Sequence, residues 1–188
     1  MKFSATVLLL IALALPVRAA VVHDEGVSGD LSTNPAAPTA LAFAAGGNTV
    51  IGTTGNFGTL DRDYITFTIA PGQVLTALNV LLFTPDNIAF VAFNAGATSY
   101  VPSVATAANF LAGIHMDQSD QGTNAMTRFV STSVTGNALP SPQLGPGTYC
   151  FLIQQTNAIL TSYSLEFVIE QPVPVEAATW GAIKALYE

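Results

Sequence analysis

Asp61 and Asp63 stand two residues apart at the entrance to an alternating stretch, Asp61-Arg62-Asp63-Tyr64-Ile65-Thr66-Phe67-Thr68-Ile69. In an extended backbone residues i and i+2 share a face, so the two carboxylates point the same way. Asp24, Glu25 and Asp30 place three more carboxylates ahead of this stretch. A calcium ion takes six to eight oxygens from carboxylates, carbonyls and water. The candidate ligands are therefore Asp24, Glu25, Asp30, Asp61 and Asp63, and the candidate cofactor is calcium. The same acids can equally solvate turns and cap strand ends. A second acidic string, His115-Met116-Asp117-Gln118-Ser119-Asp120-Gln121-Gly122, lacks the denser acid spacing of an EF-hand loop.

Catalytic signals are sparse. His23 and His115 are the only histidines and Cys150 the only cysteine, too few for a histidine-rich metal site or a redox pair. Ser, His115 and Asp117 can be written as a triad, but no Gly-x-Ser-x-Gly elbow supports it. There is no phosphate loop, no CxxC and no HExxH, so the expectation is a protein that is not an enzyme. Aromatic rings can stack on the apolar faces of sugars; Tyr100, Phe110 and Phe129 are the candidates, with core packing as their other use. Cys150, in an apolar stretch, reads as a small core hydrophobe; an intermolecular disulfide or an exposed thiol is the alternative.

Residues 1–19 have the three parts of an export signal: a basic start at Lys2, an apolar run over 7–15, and Val17-Arg18-Ala19 before the cut. The run is too short to cross about 30 Å of hydrocarbon as a helix, so no transmembrane segment is expected once the signal is removed. Removal takes Lys2 and Arg18 away, and the formal charge of the remainder moves from −7 to −9. Such a chain repels nucleic acid, which needs a basic surface. The expected location is extracellular, cell-surface or periplasmic.

The rest of the chain reads as short strands between turns. Residues 63–69 alternate, Pro71-Gly72 makes a turn, and 74–83 and 88–93 follow as strands. Residues 40–43 and 48–52 are weaker candidates upstream; 148–155 and 160–169 close the series, after a Gly- and Pro-rich loop over 135–147. Residues 105–114 are the one helical candidate within this region. The expected fold class is all-β, a jelly-roll-like β-sandwich over residues 20–170. Residues 171–188 form a linker and tail in which Trp180, Ile183, Leu186 and Tyr187 fall at helical spacing, predicting a short C-terminal amphipathic helix over 176–187.

Three strings carry a resemblance. Asp61-Arg62-Asp63-Tyr64 with its alternating strand and Pro71-Gly72-Gln73 turn, then Gly147-Thr148-Tyr149, then Tyr163-Ser164-Leu165, together resemble bacterial pre-peptidase C-terminal domains over roughly residues 24–170. The resemblance implies a secreted jelly-roll-like sandwich that serves as an accessory module, and some such domains bind calcium near their N-terminal edge. No catalytic domain is expected within residues 20–188, since the module would occupy nearly all of them. The tail Val173-Pro174-Val175-Glu176-Ala177-Ala178-Thr179-Trp180 resembles the start of an exosortase-type sorting signal, without the transmembrane run and arginine cluster that complete one. The functional expectation is a secreted, non-catalytic module of extracellular or cell-surface adhesion type, stabilised by calcium. The alternative is a carbohydrate-binding protein of the extracellular matrix. The partners would be an extracellular polysaccharide or a surface protein.

Overall fold

The computed structural model describes residues 19–98 and 109–171. The expected export signal (but for Ala19), Tyr100 and the tail helix with its sorting-like string lie outside these residues. Nine strands account for most of the regular structure: β1 (Ala20–Asp24), β2 (Thr39–Ala40), β3 (Gly46–Asn56), β4 (Leu60–Ile69), β5 (Val74–Thr84), β6 (Ala89–Ala95), β7 (Ala112–Met116), β8 (Gly147–Gln154) and β9 (Thr161–Glu170). Two one-turn helices, α1 (Glu25–Ser28) and α2 (Arg128–Ser131), and two 3-10 turns complete the described part.

The strands form two layers. One runs β1–β3–β9–β5 and the other β2–β4–β8–β6–β7. They are joined where β3 turns into β4, with Gly55 opposite Asp61 and Asn56 opposite Leu60. All neighbours are antiparallel except β1 with β3 and β2 with β4. This is the all-β sandwich expected from the turn spacing. Gly72 follows Pro71 with φ of 79°, a conformation that suits a residue without Cβ.

Period-2 alternation sets what each layer buries. Ile65, Phe67 and Ile69 of β4 face Val50 of β3 and Leu165, Phe167 and Ile169 of β9 across one shared core. Phenyl rings link the layers: Phe67 and Phe151 of the second layer meet Phe167 of the first at centroid distances of 5.6 and 5.2 Å. Phe129 of α2 closes part of this core against Phe93, 4.9 Å away. On the opposite face of the second layer Tyr64, Ala92, Phe110, Cys150 and Leu152 make a smaller buried cluster. Cys150 is therefore packed in apolar surroundings, and burial pushes its thiol up to about 12. Tyr64, on the same face, is raised by burial as well.

The helix expected over 105–114 is not what the described part of that stretch forms. Residues 112–114 belong to β7, which pairs with β6 from Ala89↔Met116 to Phe93↔Ala112. Ala112, Ile114 and Met116 alternate into the core, and that period-2 face outweighs the helical spacing of Phe110, Leu111 and Ile114.

The outer strands β5 and β7 are shielded. Val80 of β5 exchanges backbone hydrogen bonds with residues 122 and 123, Leu75 exchanges two with Leu144, and the Val134 amide donates to the Gly113 carbonyl of β7. Covered edges of this kind block pairing with a further chain. No helix among the described residues is long and apolar enough to cross a membrane.

Candidate functional site

The inward face of β4 does not begin with a hydrophobe. Counting back from Ile69 and Phe67 through Ile65, the next inward residue is Asp63, which is 1% exposed. Asp61 precedes it on the same side. A carboxylate taken from water costs several kcal/mol unless it gains partners. Asp63 gains one: the Tyr163 hydroxyl of β9 donates to its Oδ2 at 2.8 Å. Asp63 Oδ1 is buried with no hydrogen-bond partner, and so is Asp61 Oδ1.

The segment after β1 brings the remaining acids to this place. Parallel pairing of β1 with β3 sets Asp24 beside Ile51, and α1 then turns the chain so that Glu25 reaches β3. Glu25 Oε2 accepts from the Thr53 amide at 2.7 Å and from its hydroxyl at 3.2 Å, while Oε1 accepts from the Leu31 amide at 3.3 Å. One carboxylate oxygen each from Glu25, Asp30 and Asp63 lie within 4.8 Å of one another. Calcium–oxygen distances are about 2.3–2.6 Å, so oxygens on opposite sides of the ion stand roughly 4.6–5.2 Å apart, and the three carboxylates fit one ion without spreading.

The electrostatics mark the same group. Burial lifts Asp61 to about 6, and the charges of Asp30 and Glu25 add to it. Burial likewise raises Glu25, against which the Thr53 and Leu31 hydrogen bonds work. Asp63 is raised well above the usual carboxylate range by burial and by the Glu25 charge, with the Tyr163 bond opposing. Tyr163 is pushed well above the usual phenol range, by burial first and then by the Asp63 charge. Asp30 and Glu25 thus disfavour the charged forms of Asp61 and Asp63, a repulsion that a divalent cation relieves.

A cavity of about 10 Å³ adjoins Asp63 on the core side, lined by Tyr163 and by apolar side chains including Val50, Ile65 and Phe167. That is near the lower limit for a single water, so a larger partner for Asp63 must come from the Glu25 and Asp30 side.

Of the five predicted ligands the structure brings Glu25, Asp30 and Asp63 together, with Asp61 next to them. Asp24 has another use: its Oδ1 accepts from the Gly26 amide at 2.9 Å and caps α1. Tyr163 and Gly52 were not among the predicted residues. A Cβ at Gly52 would lie 2.5 Å from the Tyr163 hydroxyl and 3.0 Å from the Glu25 carboxyl carbon, so bare backbone is needed there. The signal that could have found Tyr163 is its alternation with Leu165, Phe167 and Ile169, which puts it on the core face, where a phenol needs a buried acceptor.

The other candidates resolve differently. Asp117 accepts from the Ser119 amide and hydroxyl, which lowers it below the usual carboxylate range, and Asp120 forms an ion pair with Arg128 at 2.5 Å. These acids cap a 3-10 turn and brace it against α2. The His115 ring meets Phe90 edge-on, and Ser119 faces Asp117, so the sequence-level triad is not assembled. His23 donates from Nε2 to the Gly29 carbonyl at 3.0 Å. Phe110 and Phe129 are 2% and 0% exposed and are core residues, not sugar platforms. Phe57, in the β3–β4 turn, is instead 66% exposed. In comparisons with known proteins, no family model matches the chain and neither does any curated protein.

Proposed function

We propose that the chain is an exported, non-catalytic β-sandwich module of adhesion or accessory type, held in shape by calcium at Glu25, Asp30 and Asp63. The observation that carries this reading is the Asp63 carboxylate, buried on the core face with one oxygen unpartnered, beside two further carboxylates. A buried acceptor without a partner costs about 1–3 kcal/mol, and more when charged, so its persistence calls for a partner. A hard divalent cation suits a set made only of oxygens. Bound calcium would tie the segment after β1 to the start of β4, and Asp61 would add charge from the same strand. Its chemistry there is structural: it cancels repulsion among four acids and draws α1 onto the end of the sandwich.

Calorimetric titration with calcium tests this. One binding event is expected for the protein, lost in Asp63→Asn, whose side chain keeps the shape and loses the charge. Heat-silent titration with no change in melting would remove the cation from the reading.

Phe57 favours a second reading, carbohydrate binding. Its exposed ring lies against Gly55, next to the Ile159 carbonyl, and hydrogen bonds link its neighbour Asn56 to Asn157 and Asn157 to Asn87. Amides beside an exposed ring are suited to sugar hydroxyls and the apolar sugar face. Phe57→Ala is expected to abolish retention on a polysaccharide column while leaving the melting temperature within about 1 °C, because an exposed ring contributes little to folding. Unchanged retention would exclude the ring as a platform.

A further inference from the structure

We infer that Tyr163 is a positioning residue for the cation: its hydroxyl anchors one oxygen of Asp63 and leaves the other for the ion. This rests on the calcium reading above and adds to it a group that carries no ligand itself. The Tyr163–Asp63 bond runs from β9 of one layer to β4 of the other, so it crosses the interior of the sandwich. Asp63 offers two oxygens. The buried hydroxyl takes Oδ2 at 2.8 Å, and Oδ1 stays buried and unpartnered. With Oδ2 fixed from the core side, rotation of the carboxylate is stopped and the direction of Oδ1 is set.

The donor is itself fixed. Tyr163 is 1% exposed and belongs to the shared core, so its hydroxyl has little freedom to move. Gly52 supplies the clearance that lets this hydroxyl and the Glu25 carboxylate approach the backbone of β3 together. Glu25 is held in the same manner, by donors from Thr53 and Leu31. Groups that hold ligands in place commonly change metal affinity about 10–100-fold when removed.

Tyr163→Phe removes the hydroxyl and keeps the ring that fills the core. The probes are calcium, followed by calorimetry, and terbium(III), a hard cation whose emission is excited through a nearby tyrosine. The native protein is expected to bind calcium and to give tyrosine-excited terbium emission. Tyr163→Phe is expected to bind calcium about 10-fold or more weakly. A purely structural hydroxyl would lower the cation-free melting temperature and leave calcium affinity unchanged. Equal calcium affinity in the two proteins overturns the positioning role and leaves the calcium reading standing. No binding by the native protein overturns both.

Discussion

A carboxylate set beside Ile65 on the inner face of a strand is destabilised in its charged form, and three neighbouring acids add to the effect. The sign of the resulting pH dependence follows from Asp61, which rises from 3.8 to about 6. A raised acid contributes stability that is complete below its unfolded value and is lost as pH rises through its folded value. Cation-free protein is therefore expected to melt at lower temperature at pH 7 than at pH 5. Asp117 shifts the other way, but its effect falls below pH 4, outside this window. Protons and calcium compete for the same oxygens, so the stabilisation by calcium is expected to shrink as pH falls from 7 to 5. Thermal melts at both pH values, with chelator and with calcium, check both statements; a calcium effect of equal size at pH 5 would contradict the assignment. At this scale much was legible in the sequence, because period-2 alternation already put Asp61 and Asp63 on one side. The role of Asp24 was not separated from theirs, since a one-turn helix that needs an N-cap leaves little periodic signal. Tyr163 was hidden for another reason: its partner is 100 positions away, and pairing over that distance is set by sheet topology.

Where β3 and β9 pair at this end of the sandwich, β3 lacks a side chain at one position. Gly52 sits opposite Tyr163 in the β3–β9 ladder, and its missing Cβ is where the Tyr163 hydroxyl and the Glu25 carboxylate come close. Gly52→Ala is expected to destabilise the fold by about 1–3 kcal/mol through overpacking and to weaken calcium binding with it. A denaturant melt unchanged from the native protein would show that the hydroxyl has room to retreat. Most strands were legible in the sequence, because Val, Ile, Phe and Thr alternate between Pro- and Gly-containing turns. Two were not. β1 starts directly after the expected export signal, whose apolar run obscures it. β7 contains the alternation Ala112, Ile114, Met116, but Phe110 and Leu111 just ahead of it supply a competing helical spacing.

The whole molecule is a sandwich whose shared core is closed by ring contacts between layers and four of whose acids gather at one end. Twelve acids against five bases leave few cations in the chain to balance the four carboxylates near β4, so an external ion is the natural counter-charge. An ion that binds only the folded chain stabilises it by mass action, about 2.7 kcal/mol at a hundredfold excess over Kd. For a chain of this size that corresponds to a rise of roughly 5–10 °C. The most direct measurement is the melting temperature of the native protein and of Asp63→Asn, each with chelator and with millimolar calcium. A rise of that order for the native protein, absent in the variant, is the expected result. Equal melting temperatures with and without calcium for the native protein, or the same rise in both proteins, would contradict calcium binding at Asp63.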